Sequence, residues 1–275
     1  MEWIKKHQKF LWGIAVGAIA ALLIINRHWF APLHEPVMAV LKSNAITAFA
    51  GAFAGAFVVY LMNKFEQKKR LLADINASIG MLISVQNSLL NFKSQHVVPM
   101  VENHSKALLE SKKQTEKNQN SFTVSINVSG FLPPSLNVDL PTKSLFSLTH
   151  LTNKLVPIIE QTRKTTKQVI QTAHMWNKDL LKLQAIQDQD AKCRYYLGLP
   201  YRDGAHDTQF VNVLDALEIT ANSGLFFTRR SIEELIRVGK EELPRRFHGR
   251  IIRPQLLNKE DEDLMPPHNY VEGWD

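Results

Sequence analysis

NAITAFAGAFAGAFVVYLM, residues Asn44 to Met62, is the stretch on which the reading of this chain turns. It contains no charged side chain, and Ala48, Ala52 and Ala56 recur at every fourth position beside a parallel row of Phe49, Phe53 and Phe57. A helix needs roughly 20 apolar residues to cross a hydrocarbon core of about 30 Å, so the stretch reads as a membrane span. Toward the N-terminus, Phe10 to Ile25 is a second uncharged run, which reaches Trp29 and Phe30 if Arg27 and His28 snorkel. The expectation is a two-helix transmembrane hairpin over residues 1–63, with spans at about 10–30 and 44–62 and the lipid bilayer as first partner.

Basic residues orient the hairpin. Lys5, Lys6 and Lys9 precede the first span, and Lys64, Lys68, Lys69 and Arg70 follow the second, while the intervening loop holds only Arg27 and Lys42. Positive charge stays on the cytoplasmic side, which predicts a multi-pass inner-membrane protein with both termini cytoplasmic. The basic start also suits a secretory signal, but no small-residue cleavage site follows it. Gly13, Gly17 and Ala21 in the first span, and Ala48, Gly51, Ala52, Gly55 and Ala56 in the second, form small-residue stripes. Backbones approach closely along such stripes, either within the hairpin or in a homo-oligomer. Neither span carries an ionisable group to line an ion path, which argues against a selective transporter.

The formal charge of the chain is +7, and residues 1–70, with nine Lys/Arg against three carboxylates, supply +6 of it. A high isoelectric point is therefore no argument for nucleic-acid binding by itself. The single cysteine, Cys193, excludes a disulfide framework and fits a reducing cytoplasm.

Beyond the spans, Phe65, Leu72, Ile75, Ile79, Leu82 and Leu89 keep three-and-four spacing, which predicts a helix to about Gln95, broken or kinked at Pro99 and followed by a weaker one over 100–117. Phe122, Val124, Ile126 and Val128 alternate with polar residues, and Gly130, Pro133, Pro134 and Pro141 follow. A small β element is expected within a proline-rich connection over 121–143, pairing with Leu136 to Leu140 or with a neighbouring copy. A second long helical pattern, Ser144 to about Tyr196, passes through Leu155, Val169, Trp176 and Leu183. The economical fold for residues 64–198 is then a coiled-coil-like antiparallel helical hairpin. Residues 199–275 read as a small helical unit and an extended C-terminal tail. One helix is capped by Asp207 and closed by Gly224, and another is opened by a capping box of Ser231 and Glu234 and stopped before Pro244. The fold class is mainly α.

No metal-binding, nucleophile or phosphate-loop signature is present: there is no His-Glu-x-x-His, Gly-rich loop, G-x-S-x-G or Cys-x-x-Cys. His206 with Asp203 and Asp207 is explained by a turn and a helix cap. The reading is no enzyme, no catalytic residue, no cofactor, no metal and no small-molecule substrate. The recognition candidate is the basic tail. Arg245, Arg246, Arg250 and Arg253, not far in sequence from Arg229 and Arg230, suit phosphates of a nucleic acid or of lipid headgroups, with Phe247 placed to stack on a base.

The layout of the whole chain, with the small-residue span Ala48 to Ala56 running through Asn63 and Lys64 into the helix Leu71 to Phe92, resembles the transmembrane effectors of bacterial anti-phage retron systems. The resemblance implies a membrane-inserted effector held inactive by a partner, a reverse transcriptase with its RNA–DNA product, and released to depolarise the inner membrane by helix rearrangement. The competing reading is a non-enzymatic membrane scaffold or sensor that tethers a cytoplasmic partner.

Overall fold

The computed structural model describes residues 44–116, 124–140, 154–201 and 204–271, with the side chains of 44–51 left aside. The first expected span, including Gly13, Gly17 and Ala21, lies outside the described residues, as do Phe122 and Asp203. The described residues are mainly helical: α1 (Asn44–Phe92), a π-turn (Lys93–Val97), α2 (Val98–Glu116), α3 (Leu155–Ala185), α4 (Gln189–Leu197), α5 (Gln209–Glu242), α6 (Arg245–His248) and α7 (Lys259–Leu264). Contacts divide the chain into two compact units, 1–67 and 68–275.

Among the described residues no helix is long and apolar enough to cross a membrane. This overturns the transmembrane hairpin and, with it, the multi-pass inner-membrane location.

In the second unit the periodic faces do meet helices. Leu71, Ile75, Ile79, Leu82 and Leu89 of α1 are buried, as are Leu155, Val169, Trp176 and Leu183 of α3 and Phe210, Leu217, Leu225 and Leu235 of α5. Their partnership differs from the expected hairpin. Lys68 reaches Glu242 and Lys93 reaches Asn222, so α1 runs antiparallel to α5. Thr162 meets Ser231 and Lys182 meets Gln209, so α3 is antiparallel to α5 as well. α1 and α3 therefore run in the same direction, each antiparallel to α5.

The reason α5 can serve both lies in two residues that the sequence reads as boundaries. A Cβ on Gly224 would stand 3.2 Å from Leu89 Cδ1 and 3.7 Å from Val169 Cγ2, so this glycine is where three helices converge and not where one ends. Ser231 is buried with its hydroxyl 2.8 Å from that of Thr162, whose oxygen also lies 3.0 Å from the Phe227 carbonyl, a hydrogen-bonded polar contact within the α3–α5 interface. Glu234 is turned to Arg237. The expected break at 224–231 is continuous helix.

Pro99 also leaves the helix unbroken. The preceding π-turn, closed by Val98 N–H to Lys93 O, widens the backbone ahead of a ring that cannot donate and would crowd an ordinary turn. Pro157 occupies the first turn of α3, where a missing N–H costs little. The second long pattern is interrupted after Ala185, and Asp188 caps α4 through the amides of Asp190 and Ala191.

No strand forms among the described residues, which corrects the expected β element. Residues 124–140 are extended, and Val124, Phe131, Val138 and Leu140 are buried. The period of two is used for packing on helices, and the backbone partners are side chains. Asn177 donates to Phe131 O at 2.8 Å and accepts from Phe131 N at 3.2 Å, Trp176 Nε1 donates to Ser129 O at 3.1 Å, and Asn103 donates to Asn127 O at 3.4 Å. A primary amide offers the same donor and acceptor as a peptide unit, so Asn177 stands in for one residue of a neighbouring strand.

Around that contact an aromatic cluster closes one end of the unit. Phe131 lies against Phe92 and His96 at centroid distances of 5.2 and 4.9 Å, Trp176 against Phe210 at 4.8 Å, and Tyr196 against Phe210 and His104 at 5.3 Å each. The rings come from most of the helices and from the extended segment, so the cluster ties distant parts of the chain together.

Candidate interaction surface

The arginine-bearing segment follows α5 directly. Pro244 ends α5 and admits the short helix α6, whose Phe247 is only 2 % exposed, with Leu243 and Ile251 buried on either side of it. Ile251 is also packed close to Gly239 and Ile75: a Cβ on Gly239 would stand 3.1 Å from the tip of Ile251 and 3.5 Å from that of Ile75. Asn76 of α1 then fixes the backbone, donating to Arg250 O at 2.9 Å and accepting from Ile252 N at 2.9 Å. The expected extended tail is, to this point, an anchored turn.

Arg245, Arg246, Arg250 and Arg253 are all exposed on this turn. The guanidinium carbons of Arg246 and Arg250 lie 5.3 and 6.0 Å from the Phe247 ring centre, so the ring is covered by the protein's own cations and is not open to stack on a base. The carboxylates at this end are occupied elsewhere. Glu242 is 3.6 Å from Lys68, and Arg237 holds Glu234 and Glu241 at 2.6 Å each. Those hydrogen bonds, the one to Glu234 first, raise the Arg237 guanidinium above its already high ordinary value. Arg245, Arg250 and Arg253 have no carboxylate partner among the described residues. The arrangement is a rigid mount carrying cations directed at solvent.

The other sequence-predicted residues are not brought to this surface. Ala48 and Gly51 belong to α1, their side chains undescribed; Ala52, Gly55 and Ala56 are exposed, and a Cβ on Gly55 would meet nothing within 4 Å. Arg229 and Arg230 belong to the middle of α5 and take a different partner. Arg229 donates to Pro266 O at 3.0 Å and Arg230 to His268 O at 3.2 Å, with Lys93 reaching Leu264 O at 2.5 Å. Cys193 is buried, Asp207 Oδ1 accepts from Gln209 N at 2.9 Å, and His206 Nε2 lies 2.7 Å from Gly198 O. No group of three or more His, Cys, Asp or Glu with metal-holding geometry occurs among the described residues.

Sequence reading missed the buried polar group at His104. Its ring bonds the Tyr196 backbone, its Nε2 is buried without a partner, and burial pushes its pKa below the ordinary value against the opposing influence of that bond and of Asp215. The Tyr195 and Tyr196 hydroxyls are buried and unpartnered too, and burial pushes both up to about 12. No spacing signal marks such a group, because its members come from separate helices.

No protein-family model, curated protein or solved structure matches this chain.

Proposed function

We propose that this chain is a non-catalytic effector subunit, restrained by a polyanionic partner that docks on the arginine-bearing turn of its helical body. The observation that carries the reading is the set Arg245, Arg250 and Arg253: exposed, unmatched by carboxylates among the described residues, and mounted on backbone fixed by Asn76 and Phe247. Preorganised guanidiniums suit phosphate oxygens, and holding them in advance lowers the ordering cost of binding. With Phe247 buried, the contact is with the phosphate backbone and is independent of base sequence. Resemblance to retron effectors supplies the partner class, an RNA–DNA product carried by its polymerase.

The test is fluorescence anisotropy of a labelled RNA–DNA duplex with the full chain. Three phosphate contacts predict a loss of affinity of about 40-fold between about 50 and about 200 mM salt. The triple variant Arg245→Glu, Arg250→Glu, Arg253→Glu should abolish binding with an unchanged melting temperature. Equal binding by the variant, or none by the wild type at low salt, would remove the reading.

A further inference from the structure

Between Leu243 and Asn258 the chain carries four arginines and no carboxylate, and its six large apolar side chains are put to two different uses. Leu243, Phe247 and Ile251 are buried and root the turn, with Ile251 against Gly239 of α5, and Leu257 is half-buried. Ile252 and Leu256 stay outside: Ile252 is 43 % exposed and Leu256 99 % exposed. The Asn76 amide holds both Arg250 O and Ile252 N, so Ile252 leaves the turn from the same fixed backbone as Arg250, and Arg253 follows it directly. Pro254 and Gln255 are exposed as well, and among the described residues 253–257 make no hydrogen bond or ion pair.

A lone exposed leucine is ordinary on a protein surface. Here two exposed aliphatic side chains stand among four exposed guanidiniums, and the carboxylates nearest in sequence, Glu241 and Glu242, are taken up by Arg237 and Lys68. That combination separates the kinds of polyanion the turn could meet. A nucleic-acid backbone offers phosphates and sugars, against which an aliphatic side chain gains little. An anionic bilayer offers phosphates with acyl chains directly beneath them, so the headgroups take the guanidiniums while apolar side chains pass between them. Arginine suits this boundary, because its apolar stem lies along the acyl region while its charge stays at headgroup level. Such a contact lies on the surface of the bilayer and needs no spanning helix.

We propose that the turn from Arg245 to Leu256 is a binding site for an anionic lipid surface, in which Arg245, Arg246, Arg250 and Arg253 take headgroup phosphates and Ile252 and Leu256 enter between them. The inference shares its arginines with the proposed function and goes beyond it. Nucleic acid and bilayer exclude one another on this turn, but the lipid contact requires only that the arginines be accessible.

The experiment is flotation of the full chain with vesicles of phosphatidylcholine alone and of an equal mixture of phosphatidylcholine and phosphatidylglycerol. The chain should float with the mixed vesicles at low salt and stay behind with the neutral ones. The double variant Ile252→Ser, Leu256→Ser should weaken partition by at least about tenfold, with its melting temperature and its affinity for the RNA–DNA duplex unchanged. Reversal of Arg245, Arg250 and Arg253 to glutamate should weaken it by about 100-fold. The proposal is overturned if the wild type fails to float with the mixed vesicles, if it floats equally with neutral ones, if the serine variant floats as well as the wild type, or if flotation survives the arginine reversal. Flotation without duplex binding would remove the proposed function and leave this one, and duplex binding without flotation would do the reverse.

Discussion

His104 is half-buried beside Tyr196 of α4, under the influence of Asp215 of α5, with one nitrogen bonded to backbone and the other, Nε2, buried without a partner. A proton added to this ring would place an N–H in a site with no acceptor, which is why burial lowers its pKa. The ordinary histidine value is about 6.5, so the unfolded chain takes up the proton first as pH falls. Stability from this group is complete above about pH 6.5 and declines as pH drops from there toward the lowered folded value. Urea midpoints should therefore fall on the acid side for the wild type, and His104→Gln should flatten that decline. The two neighbouring tyrosines work in the opposite direction. Raised from about 10 to about 12, they contribute stability that is complete below the ordinary value and is lost as pH rises through about 12. An absorbance titration of tyrosinate should show two of the five tyrosines ionising near about 12, and two ordinary curves in their place would contradict the burial of these hydroxyls.

At the scale of elements the decisive position is Gly224. Gly224→Val would drive two methyl groups into Leu89 and Val169 at once, and overpacking of this kind costs about 1–3 kcal/mol, measurable as a shift in denaturation midpoint with unchanged slope. Similar reasoning explains what the sequence conveyed and what it withheld. Three-and-four spacing marked Ile75, Ile79, Leu82 and Leu89 of α1 and the buried face of α3 correctly, since burial of a helix face is written locally, while Phe65 and Leu72 are only half-buried and Leu71 faces the core instead. It could not say which face meets which, and Gly224 and Ser231 have the composition of a terminus and a cap while serving a junction and a buried hydroxyl pair. The alternation at 124–128 was legible as extended backbone; that its partners would be Asn177, Trp176 and Asn103 was not, because side-chain amides leave no pattern. The apolar run ending at Met62 was over-read, since among the described residues no helix is long and apolar enough to cross a membrane. At the arginine turn, the clustering of exposed arginines was legible in the sequence, and the covering of Phe247 was not.

For the molecule as a whole, the second unit should open in a fixed order. Residues 253–271 are mostly exposed and held by a few contacts around the buried Pro266, whereas the middle of α5 is buried between α1 and α3. Hydrogen exchange should therefore be fast in that segment and slowest around Leu217 to Leu235, spanning a wide range of opening free energies. Uniform protection across both would show that the segment belongs to the cooperative core.

The pairing of α1 with α5 also sets a clock. Asn76 must wait for Ile252, 176 residues downstream, before its hydrogen bond can form. At a synthesis rate of about 5–20 residues per second, that is about 9–35 s. For that interval Ile75, Ile79 and Leu82 lack the helix that covers them, and a ribosome bearing this nascent chain presents an apolar helical face to whatever chaperone stands at the exit tunnel. The body of the protein is thus completed only after the chain has been made through Ile252.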